Sequence, residues 1–240
     1  MNILRSLTAI VLAAGLALAG PAAEAASPFH VLSLSWEPAF CEAHAGVPEC
    51  ASQTAGRADT RALSLHGLWP QDDYCGVSRA LIDTDRRGDW DALPGVDLDP
   101  MIARLLAAAM PGTRSSLERH EWLKHGTCFG TDPDTYFTTA LKLLHAVNTS
   151  SVGKVLDDAV GKRLTQAQIR GAFDAAFGRG AGNRVRIACE RDGNRRLITE
   201  ITIGLYGEIG ANPDLKSLIL AARPTDGGCD AGLLDPVGLQ

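Results

Sequence analysis

Two early stretches of the chain alternate apolar and polar residues, as half-buried strands do. Residues 32–36 alternate leucine or tryptophan with serine, and this pattern ends at Pro38. Residues 63–66 repeat the alternation, with two leucines on one side and Ser64 and His66 on the other. Because successive side chains of a strand point to opposite faces, the leucines are expected to face the core. We therefore predict that His66 projects from the polar face of a strand.

The middle of the chain changes to the spacing of amphipathic helices. Three helix starts are indicated by Asp99-Pro100, by Asp132-Pro133 and by the capping-box pair Thr165 and Gln168. Pro111-Gly112 is expected to stop the first helix, and His145 on the second is expected to be at the surface or half-buried. The three apolar stripes contain Ile102, Leu105, Leu106, Ala109 and Met110; Phe137, Leu141 and Leu144; and Ile169, Ala172, Phe173, Ala176 and Phe177.

The pattern returns to a period of two at residues 185–189 and 197–203, and the turn residues 192–194 between them indicate a hairpin. Strands at both ends with helices between them predict an α+β fold. We expect a single domain over residues 26–240, with a central antiparallel sheet and helices packed mainly on one side. The segment from Cys41 to Cys50 is expected to be a small loop.

The N-terminus has the layout of a secretory signal peptide. Arg5 precedes an apolar run over residues 7–19, and Ala23-Glu24-Ala25 has the spacing of a cleavage site. The run is too short and too interrupted by glycine to span a membrane. We predict that residues 1–25 are a signal peptide, that the mature chain is periplasmic or secreted, and that it has no membrane segment.

Charge and cysteine content narrow the class of protein. The net charge of −5 argues against a broad duplex-binding surface, although it is compatible with an enzyme that holds one phosphate locally. Six cysteines in an exported chain indicate three disulfides. Fifteen pairings are possible, and sequence proximity favours Cys41 with Cys50. The chain has no C-x-x-C pair, in which two residues separate the cysteines, so a structural zinc site is not expected.

Candidate chemistry is concentrated in residues 119–128, which read RHEWLKHGTC. On a helix, His120 lies beside Lys124, and Glu121 lies beside His125, as neighbours four residues apart. These four groups can move protons or bind an anion. The alternative interpretation is a solvated charged helix face.

Residues 66–70, HGLWP, and residues 120–128, HEWLKHGTC, together resemble the paired active-site signatures of the ribonuclease T2 family, especially its secreted or periplasmic bacterial branch. One difference is Leu117-Glu118-Arg119, where many members have aromatic residues. The resemblance implies a ribonuclease T2-like fold and disulfides between Cys75 and Cys128 and between Cys189 and Cys229. It also implies a metal-independent endoribonuclease that cleaves single-stranded RNA by transphosphorylation to 2′,3′-cyclic phosphates, followed by slower hydrolysis to 3′-phosphates.

The resemblance also implies roles for individual residues. His125 corresponds to the general base, His66 to the general acid and His120 to the residue that holds the phosphate. Lys124 and Glu121 would stabilise or orient the pentacovalent centre, while Trp69 would shape the site or stack on a base. Two imidazoles suit the two proton transfers, because the pKa of histidine lies near neutrality.

Two other classes remain as alternatives. A metallohydrolase normally has two histidines four residues apart on a helix, whereas His120 and His125 are five apart. A binding module that has lost catalysis is expected to show damage in one signature, and both are intact. We expect no cofactor, no cleavage of DNA, which lacks the 2′-hydroxyl nucleophile, and a monomer.

Overall fold

The computed structural model describes residues 29–239. The predicted signal peptide, residues 1–25, lies outside the described residues. The strands are β1 (Phe29–Ser35), β2 (Ser64–Pro70), β3 (Arg163–Thr165), β4 (Val185–Asp192), β5 (Arg195–Tyr206) and β6 (Ala231–Leu233). The α-helices are α1 (Glu37–Ala43), α2 (Pro48–Ala51), α3 (Arg79–Arg86), α4 (Pro100–Ala109), α5 (Leu117–Lys124), α6 (Pro133–Asn148), α7 (Ser151–Asp158), α8 (Gln166–Phe177) and α9 (Leu215–Ala221).

The strands form one sheet in the order β2-β1-β5-β6-β3, and β4 also pairs with β5. The fold is α+β, as predicted. All strand pairs are antiparallel except β5 with β6, which run parallel where Leu197 is opposite Leu233. The sheet is therefore mixed. β6 follows α9 and a long connection, which allows it to approach β5 in the parallel direction.

Side-chain alternation gives the sheet one apolar and one polar face. Leu34 is opposite Ile201 in the register of β1 and β5, and both side chains are fully buried. Ser33 and Glu200 have the opposite parity on the same strands. The apolar face contributes to the main hydrophobic core, which also includes the buried residues of α6 and α8. The polar face is consequently available for a functional site.

Several local predictions are confirmed. Asp99, Asp132 and Thr165 accept backbone hydrogen bonds as N-caps of α4, α6 and α8, and Thr165 forms the full capping box with Gln168. The predicted hairpin consists of β4 and β5. All three expected disulfides are present, joining Cys41 to Cys50, Cys75 to Cys128 and Cys189 to Cys229.

Three local predictions are wrong. The segment from Cys41 to Cys50 is not a simple loop, because Cys41 lies in α1 and Cys50 in α2. Each helix has a proline in its first turn, where the fixed φ of proline favours a helix start. The strand expected to continue to Pro38 ends at Ser35 for the same reason. On α4, Leu105 is 53% exposed although it belongs to the predicted apolar stripe.

Candidate active site

His66 occupies a β-bulge at the polar face of the sheet. Ser33 is opposite Gly67 and Leu34 is opposite Leu65, so His66 is the extra residue on β2. A bulge of this kind redirects a side chain out of the regular pleat. The Nδ1 atom of His66 donates to Oε1 of Glu200 over 2.8 Å, and the Ser33 hydroxyl donates to the same oxygen over 2.5 Å. The ring is thereby oriented with Nε2 free to face the site.

His120 lies on α5 and is held by a second carboxylate. Its Nδ1 atom donates to Oδ1 of Asp85 over 2.7 Å, and the Tyr74 hydroxyl donates to the other oxygen of Asp85 over 2.7 Å. The Trp90 ring stacks on the imidazole with centroids 4.6 Å apart. Both the direction and the plane of the ring are fixed, and Nε2 points away from Asp85.

Glu121 is fully buried between these two histidines. Its Oε2 atom accepts a hydrogen bond of 2.8 Å from Nε1 of Trp69. Its Oε1 atom has no hydrogen-bond partner among residues 29–239, and lies 3.7 Å from Nε2 of His66 and 3.8 Å from Nε2 of His120. A Cβ atom at Gly67 would collide with the carboxylate, so this close approach requires glycine. The free oxygen therefore faces the gap between the two imidazoles.

His125 follows the last residue of α5 and is 6% exposed. The Trp69 ring stacks on it with centroids 5.4 Å apart, and meets His66 edge-on at 5.2 Å. Trp69 therefore contacts His66, Glu121 and His125. An oxygen of Asp73 lies 3.1 Å from Nδ1 of His125, but the pair is not aligned as a hydrogen bond.

The loop after β2 is fastened to the end of α5. The backbone amide of Tyr74 donates to the carbonyl of Lys124 over 2.7 Å, and the disulfide between Cys75 and Cys128 lies next to this contact. In the described part of the chain, no carboxylate lies within ion-pair distance of the Lys124 ammonium group. These contacts position the carboxylates of the loop and of α3 beside the histidines of α5.

The surroundings shift the pKa values of His66 and His125 in opposite directions. Burial lowers the pKa of His66, but the hydrogen bond that its Nδ1 donates to Glu200 and the charges of Glu121 and Glu200 outweigh this effect, so the pKa is raised overall. Burial, followed by the positive charges of Lys124 and the other two histidines, lowers the pKa of His125 to about 3. At mildly acidic pH, His66 is therefore the protonated imidazole and His125 the neutral one.

The two residues between them also have shifted pKa values. Burial lowers the pKa of His120, although the hydrogen bond and charge of Asp85 oppose this effect. Burial raises the pKa of Glu121 to about 7, against the opposing influence of His66 and Trp69. Glu121 can therefore carry a proton under conditions in which most carboxylates are charged.

The expectation that His120 and His125 lie too far apart to share an ion is not supported. It rested on the angle between the two positions on a helix, and His125 is the C-cap of α5 with its amide still bonded to the carbonyl of Glu121. One ligand atom each from His120, Glu121 and His125 lie within 4.8 Å of one another. This donor set fits a transition-metal ion, because it combines two imidazoles with a carboxylate.

Sequence analysis did not identify Glu200, Asp85 or Trp90 as members of the site. Glu200 had one recognisable signal, since it is a carboxylate on the polar side of an apolar strand. Its partner His66 is 134 positions away, and only the pairing of β5 with β1 and of β1 with β2 brings the two together. Asp85 and Trp90 lie on α3 and just after it, in a region without a distinctive pattern.

A cavity of about 380 Å³ opens beside His66. Its wall includes Leu65 and Leu117 on the apolar side, Trp90, and the carboxylates Glu37 and Glu200. This volume falls in the range of sites for small organic ligands. The cavity lies next to the imidazole of His66.

Comparisons with known proteins identify the chain as a ribonuclease of the T2 type. The model of the Ribonuclease T2 family matches residues 27–219. The chain belongs to this family. It is 30% identical over 224 residues to Ribonuclease I of Escherichia coli, with 83% of this chain and 82% of that protein covered.

Solved structures show the same fold. The crystal structure of RNase NT in complex with 5′-AMP has a TM-score of 0.51 and 20% identity, with 88% of this chain and 98% of that chain covered. The Japanese pear S3-RNase has a TM-score of 0.53 and 15% identity, with 85% and 98% covered. Among residues 29–239, the structure contains no helix that is both long enough and apolar enough to cross a membrane.

Proposed function

We propose that the chain is a metal-independent endoribonuclease that cleaves single-stranded RNA by transphosphorylation to 2′,3′-cyclic phosphate ends, followed by slower hydrolysis to 3′-phosphates. The observation that carries this proposal is the arrangement around Trp69, which contacts the ring of His66 on one side and that of His125 on another. The two imidazoles have pKa values shifted in opposite directions. A general acid and a general base acting at one phosphate need one imidazole protonated and the other neutral at the same pH, and opposite pKa shifts provide this.

In the first step, the neutral imidazole of His125 accepts the proton of the ribose 2′-hydroxyl as its oxygen attacks phosphorus. The imidazolium of His66 donates its proton to the departing 5′-oxygen as the P–O5′ bond breaks. In the second step the roles reverse, with water as the nucleophile, because the same two groups are left in the opposite protonation states.

The residues between the two histidines stabilise the phosphoryl oxygens. Glu121 can donate a hydrogen bond from a protonated Oε1, since this oxygen is free and its pKa is raised to about 7. Lys124 contributes positive charge, and His120, held by Asp85, donates a hydrogen bond from Nε2 to the phosphate in its imidazolium form. Donors fixed in place before the reaction stabilise charge that develops in the transition state.

A bell-shaped pH dependence follows from these assignments. Activity rises with pH as His125 loses its proton, and falls again when pH passes the raised pKa of His66 and the acid is lost. The optimum is expected at mildly acidic pH. The cavity beside His66 receives a base of the substrate; RNase NT, which has the same fold, was solved with 5′-AMP.

The test is incubation of the purified mature protein with RNA and with DNA of matched sequence, with and without EDTA, followed by identification of the product ends. We expect cleavage of RNA alone, undiminished by EDTA, with cyclic phosphates preceding 3′-phosphates. Loss of RNA cleavage in EDTA that zinc restores would instead favour a metal-dependent hydrolase. This second candidate is included because one potential metal-ligand atom from each of His120, Glu121 and His125 lies within 4.8 Å of the others.

The proposal extends to the cellular context. A signal peptide at residues 1–25 directs the chain to the periplasm or the exterior, where the three disulfides are stable. The mature enzyme, residues 26–240, acts as a soluble monomer on single-stranded RNA. Gel filtration of protein secreted with its own leader, and N-terminal sequencing of the product, test both points.

A further inference from the structure

The polar face of the sheet continues beyond the catalytic cluster as a second groove. In the register of β1 and β5, Ser35 is opposite Glu200 and Phe29 is opposite Tyr206. Residues of the same parity share a face, so these two pairs mark the two ends of one track along the strands. A groove of about 470 Å³ occupies the end at Tyr206. Its floor includes Val31, Thr202 and Gly204, which belong to the same face.

The groove lies along the same strands as the catalytic cluster and is adjacent to it. Val31 in its floor is opposite Trp69 in the register of β1 and β2, and Trp69 contacts two of the catalytic histidines. From Glu200 to Tyr206 the strand advances by roughly 20 Å. One nucleotide cannot contact both ends of this track.

The charges in this groove differ from those of the cavity beside His66. Its wall contains Arg184 and Arg223 and no carboxylate, whereas the cavity wall includes Glu37, Glu49 and Glu190. Arg223 is exposed and makes no hydrogen bond or ion pair with another residue in the described range. A cationic groove in a protein with a net charge of −5 is a local exception, and it favours an anionic occupant.

The groove also offers aromatic surface. Tyr206 is 47% exposed, which is high for so large an apolar side chain, and Phe29 on the paired strand is half-buried beside it. Exposed aromatic rings next to arginine are the surface on which proteins stack the bases of single strands. A duplex does not offer free base faces to such a surface.

We propose that this groove, lined by Phe29, Tyr206 and Arg223, binds nucleotides of the same single RNA strand beyond those that flank the scissile phosphate. The inference rests on the proposed ribonuclease function and adds a remote subsite to it. The bases stack on Tyr206 while Arg223 pairs with a phosphate. The subsite makes the enzyme favour long single strands over the shortest substrates.

The test compares kcat/KM on a dinucleotide and on an octanucleotide for Tyr206→Ala, Arg223→Ala and the double variant. Arg163→Ala is the matched control, because Arg163 is exposed on β3, which β6 separates from β5 in the sheet. On the octanucleotide, kcat/KM of each single groove variant should fall roughly 5- to 10-fold, since base stacking and a phosphate contact each contribute that much to binding. On the dinucleotide, all variants should remain within about twofold of the parent protein.

Binding of a 2′-O-methyl octanucleotide, which cannot be cleaved, supplies a readout independent of catalysis. Arg223→Ala should raise Kd and lower the slope of log Kd against log salt by about 0.7, the value for one lost phosphate contact on a single strand. Equal losses on both substrate lengths, or unchanged binding and slope, would overturn the inference. Absence of any RNA cleavage would refute the proposed function instead, while the binding measurement would still decide the groove.

Discussion

Replacing Glu121 by glutamine should make the protein more stable and less active. The buried carboxyl group has a pKa raised from 4.5 to about 7, so the folded state binds its proton more tightly than the unfolded state does. By linkage, this group costs stability progressively as pH rises from about 4.5 to about 7. At higher pH the full difference of roughly 2.5 pKa units corresponds to about 3 kcal/mol.

Glutamine removes this cost while its side-chain oxygen can still accept the hydrogen bond from Trp69. Urea unfolding at about pH 8 should therefore show a gain of up to about 3 kcal/mol, and Tm should rise by roughly 5 to 10 °C. At about pH 4 the side chain at position 121 is largely neutral in the parent protein as well as in the variant, so the gain in stability should nearly vanish. Activity should fall at both pH values, because the glutamine amide that replaces Oε1 is a weaker hydrogen-bond donor to the phosphoryl oxygens than a carboxylic acid and cannot transfer a proton to them.

Glu208→Gln is the control, since Glu208 carries the same charge but is exposed. It should change neither stability nor activity appreciably. If Glu121→Gln raised the free energy of unfolding equally at both pH values, packing and not ionisation would be responsible. A loss of stability at the higher pH would refute the reasoning about the buried carboxyl group altogether.

Glu200→Gln should keep the ring of His66 in place but remove the negative charge that raises its pKa, so the alkaline limb of the pH profile should move to lower pH. Glu190→Gln, which alters the wall of the same cavity without a hydrogen bond to His66, should leave that limb in place, and a profile of kcat/KM against pH distinguishes them. Gly67→Ala should displace the buried carboxylate and lower kcat by at least about tenfold, measured beside Gly46→Ala, where a Cβ meets open space. An active Gly67→Ala enzyme of normal stability would show that the close approach is unnecessary.

The sequence predicted those parts of the molecule in which local pattern and tertiary structure agree. The N-caps at Asp99, Asp132 and Thr165 are correct because the capping side chain and the helix it caps are neighbours in sequence. The polar-face position of His66 also follows from local alternation. The motif residues converge because α5 packs beside β2 through the buried contact of Glu121 with Trp69.

What the sequence could not supply were relations between distant segments. Glu200 meets His66 only because β1 lies between β2 and β5, a property of strand order that no local pattern encodes. The bulge at His66 depends on the register against Ser33. The closeness of the ligand atoms of His120 and His125 was not predicted, because helix spacing gives the directions in which two residues leave the helix and not where their side-chain ends lie.

The most direct test of the central claim separates the acid from the base through the leaving group. An RNA substrate in which sulfur replaces the bridging 5′-oxygen releases a thiolate, whose pKa is far below that of an alkoxide, so it needs no proton from an acid. On ordinary RNA, His66→Ala and His125→Ala should each lower kcat by about 10² to 10⁴. On the sulfur-containing substrate, His66→Ala should recover most of its lost rate, while His125→Ala should remain slow. Recovery of His125→Ala, or equal behaviour of the two variants, would contradict the assignment of acid and base.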